Sequence, residues 1–171
     1  MNKIKTNLVM LILIIFTIHS LFNIYSIKTS LPIIIFYIIL LVNTYFSINF
    51  FSKIIPKNIL SQNVVDIILF TLYILLASSL NVPIMFVFMT CIFFTIATIK
   101  YVLLLGKIGY EKVLKRKIMI DSLGIILMQI VLGLIITNYQ TLGLWFLVIV
   151  FAISNFYLLV LRPMYSIHEP K

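Results

Sequence analysis

Six long apolar runs, separated by short polar intervals, organise the chain: 8–25, 31–51, 64–80, 83–105, 118–137 and 142–161. A hydrocarbon layer about 30 Å thick is crossed by roughly 20 apolar residues of helix, so each run is near the length of one crossing. Within the runs the apolar residues are almost continuous, the pattern of helices that meet lipid on most sides. Transmembrane strands would alternate in segments of about 10 residues, and these runs do not. The pattern predicts an all-α integral membrane protein, a bundle of six transmembrane helices forming one domain over residues 1–171.

The polar intervals carry turn chemistry. Lys28-Thr29-Ser30 leads into Pro32, the interval 52–62 contains Pro56, Asn81-Val82-Pro83 makes a tight turn, and Asn138-Tyr139-Gln140-Thr141 joins the last two runs. Proline is tolerated in a first helical turn because the missing N–H has no intrahelical partner there. The interval 106–117 is the most basic, with Lys107, Lys112, Lys115, Arg116 and Lys117 set among Ile108, Val113 and Leu114. It reads as a cytoplasmic loop in contact with lipid headgroups, and a short basic helix lying on the membrane surface would suit it.

Composition supports the membrane reading. The chain is 63% hydrophobic and only 10% charged, whereas a soluble domain carries about 25% charged residues. The formal net charge of +9 would suggest nucleic acid, but its placement points elsewhere. With a cytoplasmic N-terminus, twelve of the 13 basic residues fall on the inner side and only Lys28 falls outside. Short loops obey this bias when lysine and arginine set orientation. The expectation is a multi-pass protein of the plasma (inner) membrane, both termini cytoplasmic, with a basic collar against anionic headgroups. No soluble basic domain exists to bind nucleic acid. The first run follows lysines as a secretory signal would, but residues 1–25 contain no alanine or glycine for a cleavage site, so it is expected to stay as the first helix.

A shift of 55 residues places Asp66 on Asp121, Ala97 on Ala152, Tyr101 on Phe156, Leu103-Leu104 on Leu158-Leu159, and Lys107 on Arg162. Three parallel helical hairpins would give this pattern, and such repeats occur in transporter folds.

Candidate chemistry rests on the few polar residues within the runs. Asp66, Lys100 and Asp121, with Asn49 and Asn155, would gather as an inner polar cluster able to bind a cation or proton. The competing reading is that carboxylates near helix starts favour the positive dipole end and that Lys100 snorkels to headgroups. On the outer side His19, Asn23, Asn81, Asn138 and Gln140 could line a pocket, or simply meet water at helix ends. Ser122, Gln129 and Gly133 form one stripe and Cys91, Thr95 and Thr98 another, both suited to helix–helix contact.

Other chemistries find no residues. A single cysteine allows neither a disulfide nor a thiolate metal site within one chain. HExxH, GxSxG and Gly-rich phosphate motifs are missing, so neither metal nor cofactor is expected. The leading expectation is a small transporter or a solute- or ion-binding membrane subunit. A non-catalytic accessory, assembly or immunity-type subunit follows, contacting a membrane-protein partner or a second copy. A lipid-modifying enzyme, using Asp66 and Asp121 on headgroup phosphates, comes third.

Overall fold

The computed structural model describes residues 3–55, 60–108 and 110–165. They form six helices: α1 (Lys3–Phe22), α2 (Ile27–Ile54), α3 (Leu60–Ser78), α4 (Pro83–Leu104), α5 (Glu111–Ile136) and α6 (Gln140–Phe156), with a π-helical turn, Tyr157–Leu161, extending α6. No strand occurs among the described residues. Five helices are long and apolar enough to cross a membrane: Thr29–Ile54, Ser61–Ser78, Pro83–Leu104, Glu111–Ile136 and Gln140–Leu161. The apolar part of α1 among the described residues, Asn7–Phe22, is shorter. The expected first run extends to residue 25, but the helix stops at Phe22, where the backbone turns at Asn23.

Several other boundaries differ from expectation, and two of them, the starts of α2 and α5, move named residues into the helix. α2 begins at Ile27, so Pro32 lies inside the helix rather than in its first turn. There it cannot donate the i→i−4 bond. α5 begins at Glu111, so most of the expected loop 106–117 is helix. Glu111 favours the positive helix end, and its carboxylate pairs with Lys115 at 3.3 Å, one turn on. Among the described residues, Lys107 alone of the five collar residues remains ahead of the helix.

The turns close by local bonding. Asn138 takes the left-handed conformation at φ 67°. The Tyr139 N–H then reaches the Leu134 carbonyl at 2.8 Å and the Asn138 N–H reaches Ile135 at 3.2 Å. This is the paired 6→1 and 5→2 closure that ends a helix when C′ is left-handed. At the α4 end Gly106 supplies φ 75°.

Aromatic rings fill the middle. The Phe36 ring of α2 lies 4.2 Å from Phe151 of α6 and 5.8 Å, edge-on, from Phe86 of α4. Phe94 of α4 packs directly on Gly124 of α5, where a Cβ would come within 3.2 Å of the ring. Tyr101 faces Lys117 further along the same pair, so the contacts run in opposite directions along the two chains and α4 and α5 are antiparallel. Gly143 of α6 meets Leu134 and Val131 of α5 across the short turn. Antiparallel continuation from that contact brings Asn155 level with Asp121.

Candidate functional site

One face of α5 is buried at Leu114, Lys117, Asp121, Met128, Val131 and Ile135, spacings of three, four and seven that stack on a single side of a helix. Two members of this apolar stripe are charged. Lys117 Nζ donates to Asp121 Oδ1 at 2.8 Å, with the residues 7% and 1% exposed. Spacing of i,i+4 puts the two side chains over one another. Burying either charge alone would cost several kcal/mol, and their mutual attraction offsets that cost only with good geometry.

The groups around the pair come from α4 and, through Tyr101, from α2. From α4, the Tyr101 ring lies 5.6 Å from Lys117 Nζ, within cation–π range. From α2, Ser47 Oγ meets the Tyr101 hydroxyl at 3.2 Å, and the Phe51 ring lies 4.9 Å from that of Tyr101. On α6, Asn155 is also buried, and its Nδ2 donates to the Phe151 carbonyl of its own helix at 2.9 Å. Beyond α6 the chain folds back so that the Tyr165 hydroxyl donates to Asn43 Oδ1 at 3.0 Å, with its ring against Phe50 and Phe51.

Two buried acceptors, one on α5 and one on α6, have no hydrogen-bond partner among the described residues: Asp121 Oδ2 and Asn155 Oδ1. Buried polar groups are normally satisfied, because an unpaired one costs roughly 1–3 kcal/mol. Both orphans are acceptors, so what they lack is a donor.

A second polar series lies nearby but closes on itself. Tyr37 donates to the Tyr73 carbonyl at 3.0 Å, the Tyr73 hydroxyl bonds Thr44, and Thr44 donates to the Leu40 carbonyl at 2.8 Å. Thr17 likewise donates to the Leu13 carbonyl at 2.7 Å. These hydroxyls end on backbone oxygens, which makes them satisfied packing groups.

The five residues expected as an inner cluster divide. Asp66 pairs with Lys100 at 2.5 Å, joining α3 to α4, and its side chain is 54% exposed. Asp121 and Asn155 are buried, whereas Lys100 pairs with Asp66, its Nζ 5.9 Å from the Tyr101 ring centroid. Asn49 is half-buried, and its carbonyl accepts from Ser52 at 3.2 Å. Lys117, expected among the headgroup contacts, is buried against Asp121, because the helix begins early enough to turn it inward. Lys107, Lys112 and Lys115 are exposed and Arg116 is half-buried.

Three of the outer residues do come together. Asn23 Nδ2 donates to the His19 carbonyl at 3.2 Å, and Asn81 Nδ2 donates to the Asn23 carbonyl at 2.7 Å, tying the α3–α4 turn to the end of α1. These bonds use backbone oxygens and read as stitching of turns. Asn138 and Gln140 sit at the α5–α6 turn, and no hydrogen bond joins them to the other three.

The sequence pattern singles out none of Tyr101, Ser47, Asn43 and Tyr165 as site residues, and it places Lys117 at the headgroups. Only Lys117 carried a readable signal, its four-residue spacing from Asp121. Gln62 is also buried, with neither amide atom paired among the described residues. The positions paired by the 55-residue shift have different surroundings: Tyr101 is buried where Phe156 is exposed, and Asp66 is exposed where Asp121 is buried. No family model matches the chain, and neither curated proteins nor solved structures return a match.

Proposed function

We propose that this chain is a six-crossing protein of the plasma membrane, with both termini cytoplasmic, that binds and moves a small hydrogen-bond-donating solute or cation. The observation that carries the reading is the buried Lys117–Asp121 pair, whose Asp121 Oδ2 has no hydrogen-bond partner among the described residues, together with a second buried open acceptor, Asn155 Oδ1, on α6. Ionisable residues inside membrane helices are rare and cluster on substrate and ion pathways. Asp121 Oδ2 and Asn155 Oδ1 call for a donor: an ammonium group, a hydroxyl, a proton or a bound water. Lys117 already neutralises the carboxylate, so a weakly charged or neutral donor suits the site better than a bare multivalent ion. The positive-inside distribution supports the orientation, with Lys107, Lys112, Lys115 and Arg116 at anionic headgroups.

Uptake of labelled methylammonium into proteoliposomes, driven by an inside-negative potential, tests the reading. Wild-type protein should exceed empty vesicles several-fold, and Asp121→Asn should fall to their level. Asp66→Asn should leave uptake in place, because that carboxylate lies apart with Lys100. Wild-type uptake no faster than that of empty vesicles would sink the transport reading.

A second reading, an accessory or assembly subunit, gains from the exposed Gly133, where a Cβ would meet nothing within 4 Å. A lipid-modifying enzyme loses its motivating geometry. Asp66 and Asp121 each hold a separate lysine, and no group of three potential ligands that could hold a metal occurs among the described residues.

A further inference from the structure

α5 carries a second stripe, on the side away from its buried face. Met119, Ser122, Ile126, Gln129, Gly133 and Ile136 follow one another at spacings of three and four, the repeat of a helix–helix seam. Met119, Ile126, Gln129, Gly133 and Ile136 are exposed and Ser122 is half-buried. Gln129 has no hydrogen-bond partner among the described residues, and it stands about 18 Å along the helix from Lys117, at 1.5 Å per residue. With α5 spanning a bilayer, that places a primary amide in hydrocarbon, where an unsatisfied polar group costs several kcal/mol. A Cβ at Gly133, one turn on, would meet nothing within 4 Å, so a helix can approach closely there.

We propose that this face pairs with the same face of a second copy, forming a parallel dimer in which the two Gln129 amides hydrogen-bond each other. Two features commit the occupant. Copies inserted with one orientation can bring α5 against α5 only in parallel, about an axis normal to the membrane, so each seam position meets itself at equal depth. A carboxamide carries both donors and an acceptor, so glutamine is its own complement. Polar residues at single seam positions set register and oligomeric state, and such side chains bond across membrane helices. A heterologous helix would need its own polar group at this one depth, whereas a second copy supplies it by symmetry.

Oxidative cross-linking in native membranes tests the dimer with the full chain. Cys91→Ser removes the lone thiol, and Ile126→Cys then places one on the seam while Ile149→Cys places one on exposed α6. Copper-phenanthroline should convert the Ile126→Cys chain to a species of twice the monomer mass and leave the Ile149→Cys chain monomeric. Adding Gln129→Leu should weaken association about threefold or more, the effect of losing one interhelical hydrogen bond of some 0.6 kcal/mol. Leucine suits lipid better than glutamine, so a weakened dimer would not reflect misfolding. The proposal is overturned by monomer only at Ile126→Cys, by equal dimer yield at Ile149→Cys, by a cross-link to a different protein, or by an undiminished dimer with Gln129→Leu.

Discussion

At the scale of single residues, the interior is decided by which polar groups have partners. Lys117 and Asp121 satisfy one another on one oxygen and leave the other open. Removing one partner of a buried pair strands a charge, so Lys117→Met or Asp121→Leu alone should destabilise the protein by about 3–5 kcal/mol. The double variant Lys117→Met/Asp121→Leu should recover most of that loss, because two apolar side chains replace two charges together. Thermal unfolding in mild detergent, followed by size-exclusion chromatography, reads the order: both singles well below wild type, the double close to it. A double variant as unstable as its singles would mean that no charge coupling is present. Asp121 and Asn155 were legible as polar residues in apolar runs. Lys117 was hidden because a count of basic residues by loop treats each lysine as surface. The Asp66–Lys100 pair joins residues 34 apart in sequence, and no local pattern reports such a contact.

At the scale of elements, apolar periodicity located all six helices but not their ends. A run of apolar residues marks what is buried in lipid or protein, whereas a helix continues into water for as long as its backbone bonds hold. That is why α5 extends back to Glu111, ahead of the expected start at 118, and turns Lys117 inward. Glycine governs how closely these helices approach. At Gly124 a Cβ would sit 3.2 Å from the Phe94 ring, so Gly124→Leu should push α4 from α5 and cost about 1–3 kcal/mol through overpacking. Gly133→Ala, where the space is open, should leave the isolated protomer unchanged. Comparing the two variants by thermal unfolding checks the contrast, and equal losses would refute the close approach at Phe94. The apparent repeat fails to carry over into environment: apolar sequences align easily, and the aligned positions Tyr101 and Phe156 face opposite surroundings.

At the scale of the whole molecule, the distribution of charge is what supports the proposed orientation. Four connections carry the contrast most clearly: residues 23–26 and 137–139 are poor in basic groups, while 52–62 and 105–117 hold most of them. Single cysteines in a Cys91→Ser background should report six crossings. Ser26→Cys and Tyr139→Cys are expected to react with an impermeant maleimide added to intact cells, and Lys107→Cys only after permeabilisation. An N-terminal tag should be protected together with Lys107→Cys. A tag accessible from outside alongside Ser26→Cys would mean that α1 lies on the surface and the chain crosses five times.

On the proposed function, the buried pair works on a ligand and does more than hold helices together. The neutral double variant Lys117→Met/Asp121→Leu separates these roles, since it keeps the packing and removes the charge. Reconstituted beside wild type in the methylammonium assay, it should stay monodisperse and inserted while uptake drops to that of empty vesicles. A stable double variant that still takes up methylammonium at the wild-type rate would contradict the claim and leave the pair a structural fastener.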